Sequence, residues 1–216
     1  MSIPMRGTLR RLRPASAIRP LAPQTQRTFI ALPGSAPQTL TEKRILPYES
    51  SSLYRLIADV DSYSTFVPYC TGSRVTKWSA PDAEGSRWPA QADLTVGWAG
   101  VEETFTSKLL CAPGTIVEAL GGDAVTSIPE STLPHHAETY HAPATANGIF
   151  QSLNTRWSLK PFRCPPRTDA TTTTGHAARE QTEVHLTIEF QFANPLYTAL
   201  SKAVAPQVAP KMIEAF

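Results

Sequence analysis

The sequence predicts an α+β fold in which an antiparallel sheet turns one apolar face toward a C-terminal helix. Three patterns carry that prediction. Val184, Leu186, Ile188, Phe190 and Phe192 alternate with Glu183, His185, Thr187, Glu189 and Gln191, the period of two that gives a strand one dry and one wet face. Trp88, Ala90, Ala92, Leu94, Val96 and Trp98 likewise oppose Gln91, Asp93 and Thr95, and Gly97 and Gly100 bracket a reversal into Val101, Phe105 and Leu109, which together read as a hairpin. After Asn194 the period changes: Leu196, Leu200, Val204, Val208 and Met212 stand four apart, as on one side of a helix. A sheet solvated on its other face follows.

The other elements fall around these three. Thr39 to Leu46 forms a first strand, stopped at Pro47, and Leu53, Leu56, Ile57 and Val60 recur at helical spacing behind Ser50 to Ser52, which can cap the helix. Tyr63, Phe66 and Val67 predict a short helical turn closed by Pro68, and Gly72 opens a strand toward Trp78. Pro81-Asp82-Ala83-Glu84-Gly85 has turn chemistry. Thr115 to Leu120 makes a short strand, and Ile149, Leu153, Trp157 and Leu159 form one side of a long one. Between Gly121 and Gly148 periodicity lapses around Pro129, Pro134 and Pro143, which predicts a disordered insertion. A second is expected near 165–180, around Thr171 to Thr174. Pro206 and Pro210 interrupt the last helix, and an interior proline costs about 3 kcal/mol, so a kink or two helical pieces are expected.

Composition narrows the function. Arg6, Arg10, Arg11, Arg13, Arg19 and Arg27 all precede the first acidic residue, Glu42, so that without them the formal charge of +2 becomes −4. Residues 1–38 therefore read as a mitochondrial transit peptide and leader, and residues 39–216 as one domain. That domain has no electrostatic case for binding nucleic acid. No run approaches the ~18 apolar residues of a membrane span. Cys70, Cys111 and Cys164 are odd in number and widely spaced, which argues for reduced thiols rather than a disulfide framework or zinc site. His135, His136 and His141 lie in the least patterned stretch without a closed ligand set, so no metal is expected. Phosphate-binding, dinucleotide-binding, nucleophile-elbow and zinc-protease motifs are all missing, so no catalytic residue is named.

The helix and corner from Leu53 to Tyr63 and Phe66-Val67-Pro68-Tyr69-Cys70 resemble the coenzyme Q-binding START-domain proteins of mitochondria, within the polyketide cyclase/dehydrase-like superfamily. The likeness continues through Leu94-Thr95-Val96-Gly97-Trp98, Glu102-Glu103-Thr104-Phe105, Trp157-Ser158-Leu159, Thr187 to Phe192, Asn194-Pro195-Leu196-Tyr197 and Met212 to Phe216. The resemblance implies a helix-grip (START/Bet v 1-like) fold, with a curved sheet wrapped around the C-terminal helix and an elongated apolar cavity between them. It implies a bound ubiquinone or polyprenyl quinone rather than a catalytic cofactor, peripheral contact with the matrix side of the mitochondrial inner membrane, and association with ubiquinone-synthesis or respiratory complexes. The expected role is to support ubiquinone synthesis or delivery. A polyketide cyclase or dehydratase and a protein-interaction module are the rival readings.

If the cavity exists, the strands line it with Leu94, Val96, Trp98, Phe105, Trp157, Ile188 and Phe190. The helix adds Leu196, Leu200 and Val204, and Phe66, Val67 and Pro68 form a mobile corner at one end. Strict alternation puts Glu103 beside Phe105 on the dry side, where an unpaired charge is costly. It either meets something polar there, as a protonated carboxyl donating to a quinone carbonyl would, or pairs with a basic neighbour, or sits on a strand bulged near Gly100.

Overall fold

In the computed structural model, residues 36–98, 101–145, 148–162, 180–201 and 205–216 are described. The expected leader up to residue 35, most of the second expected insertion, Cys164 and Val204 lie outside them. Seven antiparallel strands form one sheet in the order β1-β7-β6-β5-β4-β3-β2. They are β1 (Gln38–Leu46), β2 (Cys70–Trp78), β3 (Pro89–Trp98), β4 (Val101–Ala112), β5 (Ile116–Gly122), β6 (Phe150–Phe162) and β7 (Gln181–Phe192). Consecutive strands from β2 to β7 are neighbours, and β1 closes on β7.

Alternation decides which face each strand buries. In β7, Val184, Leu186, Ile188 and Phe190 are buried while His185 and Glu189 are exposed. Register shifts along β2 and between Phe150 and Ser152 in β6 insert unpaired residues, the device that bends strands and curves a sheet. The inner face is covered by α1 (Ser50–Ala58), which packs on β5 and β6, and by α4 (Ala205–Ala215), which packs on β1 and β7. Leu53, Tyr54 and Ile57 of α1, Ala205, Ala209 and Ile213 of α4, and Trp157, Leu186 and Phe190 of the sheet form one core. This is the helix-grip arrangement.

The start of α1 differs from the expected serine cap. Glu49 is the capping position, and its carboxylate accepts from the hydroxyls of Ser51 (2.5 Å) and Ser52 (3.4 Å), both already inside the helix. The short helical turn expected next is a 3-10 helix over Val60–Thr65. The C-terminal helix comes as two pieces, α3 (Pro195–Ser201) and α4. Pro206 stands in the first turn of α4, where its missing donor is tolerated, while Pro210 lies inside it.

The connection from β5 to β6 corrects the expectation of disorder. It carries 3-10 turns at Glu130–Thr132 and Pro134–His136 and the single turn α2 (Ala137–Tyr140). Ile128 and Leu133 pack on Leu110 and Leu120 on the outer face of the sheet, a second apolar core. Gly122 starts this excursion with φ of 60° and with Gln151 O only 2.2 Å from where a Cβ would stand, so only glycine fits. Its N–H donates to Thr145 O at 3.0 Å, which pins the two ends of the connection together. Sequence periodicity missed this segment because its apolar anchors are far apart and bury against another element.

Candidate ligand-binding site

The inner face is unevenly covered. Trp157, Ile188 and Phe190 are fully in the core, and Phe105 is 9% exposed. Along β3, the paired ends of β6 and β7, and α4 the lining becomes half-buried: Leu94, Val96, Phe150, Phe192, Val208, Met212 and Phe216 pack against the core while keeping part of their surface open. Leaving apolar area wet forfeits roughly 25 cal/mol per Å², so this strip is where an apolar guest gains most.

Two aromatic groups frame the strip. At one end Phe150 meets Phe105 edge-on at 5.7 Å, stacks on Phe192 at 5.0 Å and 21°, and Phe192 in turn faces the Tyr197 ring at 6.0 Å and 31°. At the other, Phe216 meets Tyr63, Phe66 and Trp157 edge-on at 5.6, 5.0 and 4.8 Å. Phe66 is therefore a half-buried part of an aromatic cluster, Val67 is buried beside Val60 and Leu109, and Pro68 is half-buried between them and the left-handed Tyr69 (φ 67°). Lys211 of α4 donates to the Tyr69 hydroxyl at 3.1 Å and lies 5.5 Å from its ring centre, which ties the corner to the covering helix.

The structure thus brings Phe66, Val67, Leu94, Val96, Glu103, Phe105, Trp157, Ile188 and Phe190 to one face, with Pro68 half-buried next in the chain. It moves Leu196 out: that side chain is 61% exposed, and its backbone N–H is capped by Asn194 Oδ1 at 2.9 Å. One residue on, about 100° around the helix, Tyr197 takes the inward position. The side chains of Trp98 and Leu200 lie outside the described residues, as does the whole of Val204. Sequence reading missed Phe150, because the register shift after it turns it inward, and missed Tyr197, because its partners are distant in the chain.

Glu103 sits opposite Val96 in an unbroken β3–β4 register, which leaves no bulge at this turn. Half-buried, it accepts from the Tyr197 hydroxyl at 3.4 Å. Other polar groups on the inner side are held neutral. Burial pushes the Cys111 thiol up to about 12 and raises the Tyr54 and Tyr63 phenols well above their ordinary value. None of the three is an activated nucleophile at neutral pH. Cys70 and Cys111 are free thiols. Among the described residues no group of His, Cys, Asp and Glu is arranged to hold a metal ion, and no helix is long and apolar enough to cross a membrane.

The family model described as "Polyketide cyclase / dehydrase and lipid transport" matches residues 46–216. The chain belongs to this family. Among its curated relatives, the mitochondrial coenzyme Q-binding protein of Schizosaccharomyces pombe is 31% identical, with 80% of each chain covered. The ribosome association toxin RatA of Pseudomonas aeruginosa is 24% identical, covering 80% of this chain and 88% of the toxin. A START superfamily protein from Mycobacterium smegmatis aligns with a TM-score of 0.52 at 12% identity, over 82% of this chain and 92% of that one. The last likeness concerns the fold alone. Within the polyketide cyclase and lipid-transport family this chain therefore stands with mitochondrial coenzyme Q-binding relatives.

Proposed function

We propose that this protein binds ubiquinone, or a late precursor of it, between the sheet and α3–α4, and supports quinone synthesis or delivery to the respiratory chain without catalysing a reaction. The observation that carries this reading is the half-covered strip from Leu94 and Val96 to Phe192 and Met212, bounded by aromatic rings. An apolar strip bounded by rings is the surface a prenylated ring compound would cover, and the relative named for coenzyme Q binding supports that choice of guest. Burying the tail contributes about 0.8 kcal/mol per CH₂, offset by withdrawing it from a bilayer that is equally apolar. Modest net affinity and shuttling follow.

The protein acts peripherally at the matrix face of the inner membrane in this reading. The exposed Leu196 at the head of α3 is the apolar surface offered to lipid. A cyclase would need several polar groups converging on a substrate, and the polar pair described at the rim of the strip is the Glu103 carboxyl with the Tyr197 phenol. Extracting the purified protein with organic solvent and analysing the extract by mass spectrometry tests the proposal. A quinone or prenylated precursor is expected in the extract; repeated extracts holding neither would overturn it.

A further inference from the structure

The polar contact at the rim of the strip has a chemical asymmetry. Ionised, the Glu103 side chain only accepts hydrogen bonds, and the Tyr197 hydroxyl can donate or accept. The hydroxyl now donates to Glu103 Oε1 over 3.4 Å, longer than the usual range for such a bond, so the contact is weak and leaves the carboxylate capacity for a further donor. Around it stand groups that suit a flat six-membered ring. Phe150 stacks on Phe192, Tyr197 continues the near-parallel series, and Val96 lies across from Glu103.

The two redox forms of a benzoquinone head meet this rim differently. An oxidised carbonyl is an acceptor. Beside a carboxylate it is repelled, and it must draw the Tyr197 hydroxyl away from Glu103 to be satisfied. A reduced hydroxyl is a donor, which adds a charge-assisted bond to the carboxylate while the tyrosine contact persists. Resting on the quinone-binding reading above, we infer that Glu103 and Tyr197 form a head-group subsite that holds the quinol more tightly than the quinone. No electron moves at this site; it binds one form of the carrier in preference to the other.

The test uses the full chain and a ubiquinone with two isoprene units, presented oxidised and, under argon, chemically reduced. Affinity is read by isothermal titration calorimetry, which does not depend on the probe's optical properties. A third probe, the matching tail hydrocarbon without its ring, reports the apolar strip alone. Wild-type protein is expected to bind quinol about tenfold more tightly than quinone, the scale of one charge-assisted bond. Glu103→Gln, whose amide can also donate, should bring that ratio close to one, and Tyr197→Phe should weaken the quinone severalfold. All three proteins should bind the hydrocarbon equally. Equal affinity of the wild type for the two forms, or a preference that survives Glu103→Gln, would overturn the inference and leave quinone binding standing. Failure of the wild type to bind either form would remove the functional reading beneath it.

Discussion

The two faces of this sheet are finished differently. On the outer face Leu110, Leu120 and Leu133 are all 0% exposed under the folded β5–β6 connection. Polar ties lock that cover down: Lys108 Nζ donates to the carbonyls of Tyr140 and Ala142 at 3.1 and 2.7 Å, and beneath it the fully buried Glu118 of β5 pairs with Arg156 of β6 at 3.0 Å. On the inner face the cover is a pair of helices, and Leu94, Val96 and Phe192 of the sheet, with Met212 of α4 itself, stay half-open. The contrast separates two uses of apolar surface. Where the chain supplies its own lid, burial is complete and serves stability; where the lid is partial, the remaining area is free to stabilise a guest.

The sharpest way to probe the sealed side is Leu133→Ala. Removing a fully buried leucine forfeits transfer energy and leaves a cavity, a loss of about 2–5 kcal/mol. A urea midpoint lowered accordingly, with ligand affinity unchanged, is the expected outcome. A loss below about 1 kcal/mol would mean that the connection does not close the outer face.

Acid should open the same side. The Cys111 N–H donates to His136 Nε2 at 3.1 Å, so the imidazole must stay neutral to accept it, and the Cys111 carbonyl lies 2.8 Å from His135 Nε2. Burial, reinforced by His135 at a ring separation of 4.6 Å, lowers the His136 pKa from 6.5 to about 4. The unfolded chain therefore binds a proton that the folded chain refuses. The resulting stability is fully present above pH 6.5 and is lost as pH falls toward 4. At 1.36 kcal/mol per pKa unit the loss is on the order of 3 kcal/mol. Asp82 and Glu183, whose pKa values are lowered by hydrogen bonds from Trp88 and Lys43, begin to lose their contribution only as pH falls through the ordinary values of 3.8 and 4.5, at the foot of this window. Chemical denaturation at stepped pH checks this, with His136→Gln as control: it keeps an acceptor for Cys111 and should flatten the slope between 6.5 and 4.

How much of this was legible in the sequence follows from where each signal comes from. Strand β7 and the β3–β4 hairpin were readable because every second side chain meets the same core, so local period and global fold agree. The family motifs supplied the curvature and the covering role of the last helix, which periodicity alone could not. The β5–β6 connection was not readable, since Ile128, Leu133 and Tyr140 follow no period and are held by residues elsewhere in the chain, among them Leu110, Leu120 and Lys108. Within the site, Leu94, Phe105 and Glu103 followed from alternation. Phe150 did not, because one unpaired residue in β6 reverses the faces, and the pairing of Tyr197 with Glu103 joins residues 94 apart in the chain.

The smallest stability effect belongs to the open side, and it discriminates best between a solid core and a receptive one. Leu94 pairs with Phe105 across β3 and β4 and is only half-buried. Full burial of a leucine is worth about 1.5–3 kcal/mol, so Leu94→Ala should cost about 1 kcal/mol, well below Leu133→Ala. Its effect on ligand should be the larger one, because atoms that the protein leaves open are those a prenyl chain covers. A severalfold loss of affinity for the ring-free tail hydrocarbon is expected from the same preparation. If Leu94→Ala instead destabilises as strongly as Leu133→Ala and leaves that affinity untouched, the inner face is packed for stability like the outer one, and the guest must be sought elsewhere on the molecule.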